Sequence, residues 1–183
     1  MVFVNSRAVA DRVPANQAAD RDAERDVELV LAFLNTCDAE TDTDILDSAD
    51  EWREWSAGRG LGESGERGQA RRVRDAMRRA VSCDRSAPAR DTEVDTITWP
   101  VPVVLRDGVP VLGGHDALSR VLAASVHLVH TGYWNRIKIC PADDCLWAFY
   151  DRSRNKSRTW CSMRVCGNRE KARSWRERHA AES

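Results

Sequence analysis

A chain of 183 residues with 42% hydrophobic and 31% charged residues has the composition of a globular protein of one ordinary domain, or a medium domain with a small appendage, and not of a disordered one. No apolar run approaches the ~18–20 residues that cross a bilayer, and the opening MVFVNSRAVADRVPANQAADRD breaks its apolar stretches with Arg and Asp, unlike a signal peptide. The net charge of −1 hides an asymmetry: from Trp134 to Ser183 there are 12 Lys and Arg against 6 Asp and Glu, and residues 1–133 hold 16 against 23. A cytoplasmic protein with no membrane partner is expected, its basic segment a candidate for polyanions.

Residues 1–20 read as an irregular, mobile N-terminus. DAERDVELVLAFLNTCD follows, with apolar residues from Val27 to Leu34 on more than one face, which marks a buried helix. In DSADEWREWSAGRG, Ser48 and Glu51 fit a capping box, Trp52 and Trp55 lie one turn apart, and Gly58 is a stop. QARRVRDAMRRAV repeats Ala70, Val73, Met77, Ala80 and Val81 at helical spacing, and DRSAPARDTE reads as a loop. VDTITWPVPVVLRDGVPVL, with β-branched residues and an Asp107-Gly108 turn, predicts short antiparallel strands that its prolines push to an edge. HDALSRVLAASVHLVHTG predicts a helix ending before Gly132.

The fold class expected is α+β, mostly α: a helical N-terminal domain with a short β element over 21–133, and a small unit of β-hairpin and helix over 134–183. Cys37 and Cys83 stand alone, whereas Cys140, Cys145, Cys161 and Cys166 fall within 27 residues as two CxxxxC pairs separated by fifteen residues. Soft thiolates at this spacing suit one tetrahedral Zn²⁺, and four of them leave no open position for water, so the ion is structural. A unit of about 50 residues has little core of its own, and the metal would supply the missing stability.

The string WAFYDRSRNKSRTWCSMRVCGNREKAR, containing Cys166-Gly167-Asn168-Arg169, resembles the CGNR zinc finger. In that family the finger follows an N-terminal ABATE domain whose early helix carries an F-x-N-T-like signature, here AFLNT with Asn35 and Thr36. The resemblance implies a transcriptional regulator with four cysteine ligands and no established enzymatic activity. WNRIKIC before the first pair is more apolar than is usual in the family.

After Cys166, Asn168 is expected to cap a basic helix carrying Arg169, Arg173 and Arg176 on one face and Lys171 nearby, with Trp175 packed on the finger. Such a helix suits a major groove, while Arg152, Arg154, Lys156 and Arg158 of the hairpin suit phosphate oxygens. Arg169 could equally brace the knuckle. Arg67, Arg71, Arg74 and Arg78 form a second stripe, expected to be the wet side of an amphipathic helix. His127 and His130 are expected to be ordinary helix residues, for want of a carboxylate at a convincing spacing. Asn35 and Thr36 would bond the last carbonyls of their helix or, as the resemblance implies, line a ligand pocket.

The sequence therefore predicts a non-enzymatic DNA-binding regulator. Its N-terminal domain would sense a small-molecule effector or mediate association, a homodimer included. The alternatives are a zinc-stabilised protein-interaction module, an RNA binder, and an enzyme with its pocket in the first domain.

Overall fold

The computed structural model describes residues 15–82 and 96–180. The irregular stretch expected up to residue 14, Cys83 and the loop expected over 84–93 lie outside the described residues. Helix α1 runs Ala15–Leu34, so its first six residues are ones expected to be irregular; ANQAADRD is rich in helix-forming residues, and a reading based on apolar periodicity overlooks it.

Ala23, Val27, Val30, Phe33 and Leu34 of α1 are buried. They pack chiefly against α4, Ala117–His130, whose stripe of Leu118, Val121, Ala124 and Leu128 is also buried. Asp116 caps α4 by accepting from the Ser119 N–H at 2.9 Å. A two-residue ribbon, β1 (Cys37–Asp38) with β2 (Thr43–Asp44), leads into α2, Ala49–Ala57. Ser48 caps α2 as expected, accepting from the Glu51 N–H at 3.3 Å. Trp52 and Trp55 stack with ring centroids 4.9 Å apart against Phe33, and the Trp52 indole N–H donates to the Ser64 carbonyl at 2.8 Å.

Helix α3, Arg67–Val81, buries Ala70, Val73, Met77 and Val81. Its arginine stripe is not the wet side, which corrects the sequence reading. Arg74 is only 3% exposed and ion-pairs with Asp44 at 2.7 Å. Arg71 pairs with Asp44 at 3.0 Å and Asp47 at 2.6 Å. Arg67 donates to the Leu46 and Asp47 carbonyls. The long aliphatic stems cross the apolar border of the helix and carry their charge to carbonyl ends and carboxylates of neighbouring elements.

Strands β3 (Val103–Arg106) and β4 (Val109–Leu112) pair only with each other among the described residues. Asp107 and Gly108 both take positive φ, 54° and 80°, the two-residue turn that matches strand twist. Val103, Leu105 and Val109 face solvent.

The second hairpin, β5 (Ile137–Ile139) with β6 (Ala148–Tyr150), joins the two parts of the chain. Its register places Ile137, Ile139, Ala148 and Tyr150 on one face and Lys138 and Phe149 on the other. The first face packs into the same apolar core as α1, α3 and α4. Phe149 instead joins Cys140, Ala142 and Cys166 in a small cluster of its own. The apolar WNRIKIC is thereby explained: its isoleucines complete the core of the N-terminal domain. A wide helical turn over Met163–Gly167 then runs into α5, Asn168–Ala180.

Candidate metal centre and nucleic-acid interface

The first CxxxxC pair follows β5. The loop turns back on itself through the Cys145 and Leu146 N–H groups, both donating to the Ala142 carbonyl at 2.9 and 3.1 Å, and the Cys140 N–H donates to the Trp147 carbonyl at 2.9 Å. The second pair brackets the wide turn, where the Gly167 N–H donates to the Ser162 carbonyl at 3.1 Å. Gly167 is buried beneath Met163 and Trp160, and a Cβ there would meet the Met163 sulfur at 2.5 Å. The Met163 side chain is flexible and half exposed and can swing aside, so the firmer limit on a side chain here is the Trp160 ring, 3.2 Å from that Cβ.

All four ligand sulfurs lie within 4.8 Å of one another, with Cys145–Cys161 and Cys161–Cys166 at 3.5 Å. Zn–S bonds of about 2.3 Å give a tetrahedron with edges of about 3.8 Å, so the cluster fits the ion. Its electrostatics fit as well. Burial pushes the Cys145 thiol up to about 11 and the Cys161 thiol higher still. Burial also opposes ionisation of Cys140, but the Cys161 and Ala142 backbone N–H groups outweigh it and lower that thiol. Four thiolates at this separation require a divalent cation between them. The site is that of one structural zinc held by Cys140, Cys145, Cys161 and Cys166.

Asn168 does not cap α5. It has helical dihedrals, and the cap lies upstream, where Ser162 Oγ accepts from the Val165 N–H at 3.3 Å; the wide turn makes the helical run begin before the Asn168 that was expected to cap it. Arg169 braces the knuckle: it ion-pairs with Asp144 at 2.7 Å and approaches the Cys166 sulfur at 3.6 Å. Arg173 sits among Asp143, Glu170 and Glu177 at 3.5, 3.0 and 3.9 Å. Trp175 is 54% exposed and its ring meets that of His179 at 4.2 Å with a 30° tilt, so it is not packed on the finger. Lys171 and Arg176 are exposed on the same helix.

The hairpin turn that carries the remaining basic residues is tied from beneath. Asp151 is fully buried and accepts from Lys138 Nζ at 2.7 Å, from the Ser153 N–H at 2.8 Å and from the Arg158 N–H at 2.9 Å. Burial opposes its charge, but these donors hold its carboxyl well below the usual range. Lys138 also donates to the Lys156 and Arg158 carbonyls. Arg158 donates to the Trp160 and Cys161 carbonyls, whereas Arg152, Arg154 and Lys156 project outward and exposed.

A contact that the sequence reading missed joins the finger to the first domain. The Asn35 side chain pairs with the backbone of Ala148, donating to its carbonyl at 2.9 Å and accepting from its N–H at 2.7 Å; it is the Asn35 backbone N–H, not the side chain, that bonds the helix end, at the Leu31 carbonyl. Thr36 does, donating to the Phe33 carbonyl at 2.9 Å, and it accepts from Arg74 at 3.2 Å. His127 has a carboxylate after all, Asp26 Oδ2 at 2.6 Å, brought from α1 across 101 positions. His127 and His130 line a groove of about 700 Å³ with Leu29, Val104 and Val111.

The family models agree with this architecture. One described as "Putative stress-induced transcription regulator" (ABATE) matches residues 27–132, and the CGNR zinc finger matches residues 136–179. The chain belongs to the ABATE family and ends in a CGNR zinc finger. No curated protein matches it. Among the described residues, no helix is long and apolar enough to cross a membrane.

Proposed function

We propose that the protein regulates transcription by binding duplex DNA through the zinc-held finger, without catalysis of its own. The observation that carries this reading is the turn over residues 152–158: the buried Asp151 carboxylate, paired with the partly exposed Lys138, fixes its backbone while Arg152, Arg154 and Lys156 stay exposed. A preorganised basic turn is suited to phosphate oxygens, with Lys171 and Arg176 of α5 as further contacts. Arg158, Arg169 and Arg173 act as internal braces in this reading, since carbonyls or carboxylates already engage them.

Binding of zinc-loaded protein to genomic duplex fragments at near-physiological salt, with sequencing of what is retained, tests the proposal. Enrichment of one motif supports a sequence-reading regulator. No retention favours the protein-interaction reading, for which Met163, Val165 and Trp175, exposed on the finger, would be the contact.

We assign effector sensing in the N-terminal domain to the groove beside Asp26 and His127. The Asp26–His127 pair beside apolar Leu29, Val104 and Val111 supports recognition of a small molecule there, and the same clustering of Asp26, His115, His127 and His130 favours an enzymatic site as the alternative. Calorimetric screening of small molecules against the protein and its His127→Ala variant tests that assignment.

A further inference from the structure

Between the N-terminal domain and the finger lies a second cleft, of about 670 Å³, unlike the apolar groove in its chemistry. Gly132, with φ 77°, turns the chain after α4 and delivers Tyr133 beside Tyr150 of β6. The rings lie nearly parallel, 20° apart in plane and 6.3 Å between centroids. Arg136, Arg152, Arg154 and Lys156 line the same cleft. Arg136 is anchored through the Asp151 and Ser153 carbonyls at 3.1 and 2.8 Å, and the Arg152 guanidinium lies 6.0 Å from the Tyr150 ring. Among the described residues Glu24 is the single acid in the lining, 4.0 Å from Arg152 at an exposed position.

Four cations around one cavity match several phosphate oxygens, and guanidinium groups bind them in paired geometry. An aromatic pair at the same cavity adds a surface on which a planar ring can stack. An inorganic anion would gain nothing from the two half-buried rings, which already pack on the core, and a neutral aromatic would gain nothing from the cations. Bases within a duplex are already stacked and cannot reach the rings. We propose that the junction cleft binds a free nucleoside polyphosphate, its base against Tyr133 and Tyr150 and its phosphates on Arg152, Arg154 and Lys156. In its consequence the inference rests on the DNA-binding reading: nucleotide and duplex would draw on the same three cations, so the nucleotide releases DNA.

The test is calorimetric titration of the zinc-loaded full chain with ADP, adenosine and inorganic pyrophosphate, in the absence of DNA. ADP is expected to bind at least tenfold more tightly than either fragment. Tyr133→Ala should weaken ADP about tenfold and leave pyrophosphate unchanged, and Arg154→Ser should weaken ADP and pyrophosphate alike. Arg154 is exposed and has no ion pair among the described residues, so its variant stays informative if Tyr133→Ala, at the edge of the core, fails to fold. ADP binding no tighter than pyrophosphate, or unchanged in Arg154→Ser, overturns the proposal. So does a Tyr133-dependent affinity for a single-stranded oligonucleotide above that for ADP. Because this titration contains no DNA, a failure of the DNA-binding reading leaves its result standing. Where duplex does bind, affinity unaffected by saturating ADP would overturn the release step alone.

Discussion

Arg78 donates at once to the Leu34 carbonyl, at 2.6 Å, and to the Leu146 carbonyl, at 2.7 Å. One guanidinium thus closes the C-terminal end of α1 and holds the residue immediately after the ligand Cys145. Together with the Asn35–Ala148 backbone pair, it makes the first metal knuckle an attachment of the N-terminal domain.

Asn35→Ala should remove two hydrogen bonds and leave the Ala148 N–H and C=O without their partner. Destabilisation of about 1–3 kcal/mol is expected. A denaturant titration that shows a lower midpoint with an unchanged slope checks it.

Arg74→Met should be costlier, because Asp44 keeps its charge and loses its most buried partner. The expected loss is about 3 kcal/mol, near the low end for broken buried pairs since Arg71 still reaches Asp44. The double variant Arg74→Met with Asp44→Asn should recover part of that loss in the same titration.

Chelation should remove one zinc per chain and lower the melting temperature of the entire protein, since Ile137, Ile139 and Ala148 sit in the main core. Metal analysis with a melting scan checks both statements. Cys161→Ser should reproduce the chelated state, and added zinc should not restore it.

Acid should act through Asp151. Its folded pKa lies below the unfolded value, so its stabilising contribution is complete above about pH 4. It is lost as the pH falls from there towards the depressed folded value. Asp151→Asn should lower stability at neutral pH and flatten this acid limb, as read from denaturation midpoints across pH 2–6.

Duplex binding should weaken steeply with salt. Replacing Arg152, Arg154 and Lys156 together by Ala should reduce the slope of log affinity against log salt by about 2.7, if each residue neutralises one phosphate. Arg169→Ala should leave that slope unchanged and lower zinc retention instead.

Local signals were legible in the sequence. The paired cysteines, the Ser48 cap, the Asp107-Gly108 turn and the apolar stripes of α3 and α4 are each set within a few residues of chain. Partnerships made across the fold were not. Asp26 meets His127 across 101 positions and Asn35 meets Ala148 across 113, and no periodicity announces either. Arg74 shows a different limit. It lies next to Ala70 and Val81 at one border of the apolar stripe, and a helical wheel cannot distinguish a guanidinium in water from one folded over that border onto Asp44. Asp143 and Asp144, inside the first CxxxxC loop, were in plain view, but only the return of α5 past that loop makes them partners of Arg169 and Arg173.

The two-sided hairpin β5–β6 also sets an order of assembly during synthesis. Helices α1 to α4 leave the ribosome first, with the places of Ile137, Ile139 and Ala148 still vacant in their core. The hairpin arrives later and seals it with one face while the other collects the thiols. Metal capture is therefore expected to follow closure of the core, and a nascent chain halted before Tyr150 would display an unsealed apolar surface to chaperones.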